Sequence, residues 1–177
     1  MSGERFEETW RRLGALVISR FDFQKTGFRS AVILPPDRVR AAAEELREAG
    51  YFLETLTALE VREGLLVTYL YDSMTEPGRL AVRALTARGG TLPSLAEVFQ
   101  GAEWHEREAA DFFGLEFQGH PNPVPLLLPH DFPGPPPMLR TAAEKVAALA
   151  DLKIFGRAEF LDPAWRTLAG PEGEAAA

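Results

Sequence analysis

Side chains able to move protons or bind metals gather in one stretch of this chain. His105, Glu106, Arg107, Glu108 and Asp111 lie together, and His120, His130 and Asp131 follow. Histidines next to carboxylates are the raw material of a metal centre or of general acid–base catalysis. A zinc-protease helix needs a second histidine four residues after the first, and the run from His105 places Ala109 there. No Gly-rich phosphate loop, G-x-S-x-G elbow or dinucleotide fingerprint accompanies the cluster, and Gly89-Gly90 reads as a turn. Cysteine is absent, which excludes disulfides, thiol nucleophiles and cysteine-ligated iron–sulfur clusters. The chain is therefore expected to carry no cofactor and no metal.

Helical spacing decides what the charged residues meet. Trp104, Glu108 and Phe112 fall at steps of four, so a helix over roughly 103–113 places the Glu108 carboxylate in an aromatic stripe. Three readings stand. Glu108 is a rim carboxylate paired with an arginine of this chain, a carboxylate meeting a partner's basic group or backbone, or a general acid or base. Arg107 and Asp111 form an i,i+4 pair, worth about 0.2–0.5 kcal/mol when exposed. His120 before Pro121 fixes the turn leaving Phe117-Gln118-Gly119 by hydrogen bonding, and His130-Asp131 caps a later turn.

The elements that must hold these residues are legible along the rest of the chain. Phe6, Trp10 and Leu13 predict a short helix over 3–14. Residues 16–23 and 28–35 read as a hairpin around Lys25-Thr26-Gly27. Pro36 and Asp37 open a helix whose Val39, Ala42, Ala43, Leu46 and Ala49 share a face and whose stop is Gly50. Strands follow over 51–61, 65–72 and 79–87, with short links that favour antiparallel pairing. A short helix is expected over 94–100, then the 103–113 helix ending at Gly114, and last a helix over 141–155 before a loose tail. This is an α+β plan: a two-layer domain over 1–115 with a mostly antiparallel or mixed sheet flanked by helices. At 177 residues, 46% of them hydrophobic, the chain can bury a real core. Its net charge of −7 argues against nucleic acid or an anionic membrane surface as partner. No apolar stretch reaches a bilayer-spanning length, and the start is polar and acidic, unlike a secretory signal. A cytoplasmic location is the expectation.

Residues 116–140 break the pattern. Eight of the 14 prolines stand between His120 and Met138. Proline fixes φ and lacks a donor, so this segment is expected to run as an extended arm, neither helix nor central strand. Yet it carries Val124, Leu126, Leu127, Leu128, Phe132, Met138 and Leu139. Burying seven such side chains is worth on the order of 10–20 kcal/mol gross, so the arm is expected to lie on its own domain or on another protein.

In Glu106-Arg107-Glu108, Asp111, Phe113-Gly114, Phe117, Gly119-His120-Pro121, Leu127-Leu128-Pro129, Asp131 and Gly134, the chain resembles the 30 kDa-type subunit family of proton-pumping NADH-quinone oxidoreductases, respiratory complex I. That family includes the equivalent subunit of membrane-bound [NiFe]-hydrogenases. The resemblance implies a cofactor-free, non-catalytic subunit of the hydrophilic arm, peripheral on the cytoplasmic side of the membrane and touching the bilayer only through the complex. It implies as partners the large quinone-site or hydrogenase-type subunit and the neighbouring iron–sulfur subunits. The interface residues implied are Glu106, Arg107, Glu108, Asp111, Phe113, Gly114, Phe117, His120, Pro121, Leu126, Leu127, Leu128, Asp131 and Phe132. Where the family has a basic Leu-Arg-Arg after His-Pro, this chain has Pro123, Val124 and Pro125, so apolar, stiffened contacts replace salt bridges. Two other classes compete: an independent hydrolase or metalloenzyme using His105, Glu108 and His120, and an adaptor whose proline-rich segment is read by an aromatic-grooved domain.

Overall fold

Alternating apolar residues build a mixed sheet whose two faces bury different sets of side chains. The fold is seen in a computed structural model that describes residues 6–75, 78–140 and 146–170. The strands of the main sheet are β1 (Val17–Arg20), β2 (Phe28–Ile33), β3 (Tyr51–Val61), β4 (Gly64–Ser73), β5 (Arg79–Thr86) and, after an intervening pair, β8 (Arg157–Phe160). They lie in the order β3-β4-β5-β2-β1-β8. All neighbours run antiparallel except β2 and β5, which pair parallel at the centre. The sheet is thus mixed, within the α+β class expected. A parallel neighbour needs a long crossover, and α3 (Val39–Glu48) with the β3–β4 hairpin supplies it.

One face of the sheet carries the main core. Ile18, Val32, Val67, Tyr69, Tyr71 and Val82 pack there against Trp10 of α1 (Glu7–Arg12) and against Val39, Ala42, Ala43 and Leu46 of α3. The opposite face buries Val17, Ile33, Val61 and Leu66 beneath Leu149, Phe155, Trp165 and Ala169 from the C-terminal segment. That second layer goes beyond the plan read from the sequence. It comprises a 3₁₀ turn over Leu149–Asp151, strand β8 and α5 (Pro163–Ala169), which starts on the Asp162 cap.

Several expectations need correction. The hairpin over 16–35 forms, but its connection is a helical turn, α2 (Phe23–Thr26), capped by Asp22 and closed by Gly27 at φ 73°. Residues 94–100 make a turn rather than a helix, because Val98 and Phe99 both donate to Leu95 and the pattern stops there. Its Leu95 and Val98 are nevertheless buried. Within 141–155, residues 146–155 hold only the 3₁₀ turn; residues 141–145 lie outside the described residues, as do 3–5 of the first helix, Glu76-Pro77 and the tail from 171. At the β3–β4 turn, a Cβ on Gly64 would sit 2.2 Å from the Thr86 carbonyl oxygen of β5, so no side chain fits.

Candidate partner interface

Helix α4 (Ala102–Phe113) positions Glu106, Arg107, Glu108 and Asp111. It ends on Gly114 at φ 67°, the left-handed conformation expected of a closing glycine. Its inward face is Ala102, Glu106 and Ala109. Small residues let the helix lie close to the sheet, and Glu106 goes in with them, at 0% exposure.

Burial of a carboxylate demands donors. Ser94 Oγ donates to Glu106 Oε2 at 2.6 Å, and the Leu95 N–H donates to Oε1 at 2.6 Å. His120 Nε2 stands 3.9 Å from Oε2. Burial pushes the Glu106 carboxyl above the ordinary glutamate value, against the opposing pull of Ser94, Leu95, His120 and Arg40. Behind it the phenols of Tyr69 and Tyr71 are pushed up as well, first by burial and then by neighbouring charge, Glu106 included. Glu106 therefore ties α4 to the turn after β6 (Thr91–Pro93), and β6 pairs parallel with β7 (Glu116–Gln118).

The next polar groups hold the proline-rich segment. Arg107 donates from Nε to the Val124 carbonyl at 2.8 Å and from Nη2 to that of Pro125 at 2.9 Å. Asp111 Oδ2 accepts the consecutive N–H groups of Leu126, Leu127 and Leu128 at 2.9, 2.7 and 3.0 Å. The Arg107–Asp111 pair expected from spacing does not form; each side chain binds backbone instead. Further on, the Met138 N–H donates to the Phe112 carbonyl, and Pro136 packs where a Cβ on Gly114 would be. The segment is thus a run of turns and bends laid along α4 and anchored again where the Arg140 N–H meets Glu60.

His120 shapes the entry to this run. The Asn122 N–H donates to Nδ1 at 3.0 Å, so Nδ1 is the acceptor and Nε2 carries the proton given to the Glu103 carbonyl at 3.0 Å. Nitrogen-15 NMR of the free chain should find the neutral imidazole as its Nε2–H tautomer; a neutral Nδ1–H form would contradict this arrangement. The turn-fixing role expected of His120 is what the geometry displays. His130 and Asp131, by contrast, make no side-chain hydrogen bond among the described residues and cap nothing.

Of the aromatic stripe of α4, Trp104 and Glu108 face outward and Phe112 is half-buried, so Glu108 sits on the rim of the helix. Trp104 is 62% exposed, Glu108 is exposed, and Glu108 has no ion pair among the described residues. Phe113 and Phe117 are half-buried and pack on the core, while Pro121 is exposed. Leu126 and Leu128 are half-buried; Leu127 is 60% and Met138 57% exposed, with Val124 and Phe132 exposed nearby. Glu106, at 0% exposure, lies beneath the surface of the free chain. A cleft of about 640 Å³ opens between α4, β7 and Pro123–Pro125, with Glu106, Arg107, Phe117 and His120 in its walls. No group of three metal-ligating side chains exists among the described residues, so His105, Glu108 and His120 do not meet. Ser94 escapes a reading of the sequence because its partner lies twelve positions away. No described helix is long and apolar enough to cross a membrane.

Known proteins resemble this chain in sequence and in fold. The family profile described as respiratory-chain NADH dehydrogenase, 30 Kd subunit, matches residues 32–144. An NAD(P)H-quinone oxidoreductase subunit J of Prochlorococcus marinus (strain NATL2A) is 33% identical over 58% of this chain and 66% of its own length. An NADH-quinone oxidoreductase subunit of Moorella thermoacetica is 35% identical over 60% of this chain and 75% of its own. The chain thus spans just under two thirds of the cyanobacterial relative's length. Among solved structures, a trypsin-resistant fragment (1-134) of Nqo5 superposes with a TM-score of 0.56 at 26% identity, covering 69% of this chain and 99% of the fragment. A chain of an archaeal membrane-bound sulfane sulfur reductase shares the fold, with a TM-score of 0.56 at 20% identity over 68% of this chain and 72% of its own.

Proposed function

Because the chain belongs to the 30 kDa-subunit family of respiratory-chain NADH dehydrogenases, we propose that it is a non-catalytic, cofactor-free subunit of a complex I-type NADH-quinone oxidoreductase. It docks on the large quinone-site subunit through residues 120–138 and the outer rim of α4, and reaches the membrane only through that complex. Its contribution to electron transfer coupled to proton translocation is positional.

One observation carries this reading: a segment whose backbone is fixed by Arg107 and Asp111 holds Val124, Leu127, Phe132 and Met138 toward solvent. Ordering has already been accomplished before the partner arrives, so less of the binding energy is lost on association. Exposed apolar groups on a rigid support are the pattern of a docking surface.

Truncation after Gln118 would be a poor test, since it also removes β8 and α5 and uncovers Val17, Ile33 and Leu66. Leu127→Asp is cleaner. The exposed position should leave the free chain's melting temperature within about 1–2 °C of the parent. Copurification with the large subunit should weaken by on the order of 100-fold, because an unpaired charge is driven into an interface. Parent-like affinity of Leu127→Asp combined with Met138→Asp would overturn the reading.

A further inference from the structure

We infer that the Trp104–Glu108 face of α4 is the seat of an arginine side chain from the partner subunit. The inference rests on the docking reading above and adds the chemistry of the group received. Trp104 and Glu108 stand one helical turn apart on the outer face, where residues at i and i+4 are neighbours. Among the described residues the Trp104 ring has no aromatic or cationic contact, and the Glu108 carboxylate has no hydrogen bond or ion pair. The charge outside the buried face is one-sided: Glu103, Glu108 and Asp111 lie on α4 with Arg107 as its one arginine. That arginine has Nε and Nη2 committed to the carbonyls of Val124 and Pro125.

The face also continues into the docked segment. Arg107 and Asp111 sit three residues beyond Trp104 and Glu108 respectively, and they hold the backbone of exposed Val124 and exposed Leu127. An open indole beside an unpaired carboxylate, bordered by apolar side chains, matches a guanidinium on an apolar surface. Arginine stacks on the ring and forms a planar, charge-assisted pair with the carboxylate; lysine, a compact and strongly hydrated point charge, satisfies only part of this.

The test uses the full-length chain and the purified large subunit, with dissociation constants for Trp104→Leu, Glu108→Gln and the double variant. Leucine keeps apolarity and removes the aromatic face. Each single variant should weaken binding by on the order of 10–30-fold. The double variant should lose much less than the product of the two, because both groups hold the same guanidinium. Melting temperatures of the free variants should match the parent, which separates binding from folding. Losses that multiply independently overturn the shared-arginine inference, as does parent-like binding by Trp104→Leu. If Leu127→Asp still abolishes binding in that case, the docking reading stands and only the arginine seat falls.

Discussion

Asp111→Ala should detach residues 126–128 from α4 without unfolding the sheet, and it should reduce affinity for the large subunit by roughly 30–1,000-fold. A single carboxylate oxygen accepts three consecutive backbone N–H groups here. Hydrogen bonds to a charged group contribute about 1.5–3 kcal/mol each when well shielded. Asp111 is half-exposed and water replaces part of the loss, so a net cost of about 2–4 kcal/mol is reasonable, equal to the stated range at about 1.4 kcal/mol per decade. Amide hydrogen exchange is the direct reading: Leu126, Leu127 and Leu128 should lose protection together while β4 and β5 keep theirs. Asp111→Asn should fall between, since a neutral amide retains one acceptor but no charge. Unchanged protection at the three leucines would refute the account.

Glu106→Ala should instead act on the whole fold, lowering stability by about 2–4 kcal/mol. The substitution leaves a cavity and strips the acceptor from the buried Ser94 hydroxyl and Leu95 N–H. For a chain of this size that is a drop of roughly 5–15 °C in melting temperature. Glu106→Gln keeps an acceptor and the volume, so it separates hydrogen bonding from charge. Because burial raises the Glu106 pKa, the folded state holds this proton more tightly than the unfolded chain does. The contribution to stability is full below the ordinary glutamate value, declines as pH rises above it and is lost above the raised folded value. Urea unfolding across that window should show the parent losing stability relative to Glu106→Gln as pH rises. Parallel curves for the two proteins would mean that the buried charge has no such effect.

Local signals are legible in the sequence and distant ones are not. The α3 face and the Gly114 stop follow from spacing within one helix, and both are present. The stripe of Trp104, Glu108 and Phe112 is legible from spacing, but it does not say which face of α4 is buried. Ala102, Glu106 and Ala109 define the true inner face, and the small size of the two alanines is the physical clue. Ser94 as a donor to Glu106 and β5 as the parallel neighbour of β2 depend on contacts across long stretches of chain, where no periodicity can act. Strand β8 is four residues long and too short for alternation to identify, although Asp162-Pro163 carries a readable helix start for α5. The proline content excludes helix and central strand from residues 120–138, but the expected arm over 116–140 begins with strand β7, and turns rather than continuous extension carry the rest back along α4.

Placement of β8 against β1 has a consequence for biosynthesis. Strand β1 leaves the ribosome long before its partner β8, and residues 21–156 are translated between the two. A nascent or stalled product that stops before Arg157 would display the bare rim of β1, a template for pairing with other chains, while already bearing the greasy loop meant for the neighbouring subunit. A product lacking β8 is thereby marked by stickiness at two places, whereas one that includes β8 covers the β1 rim.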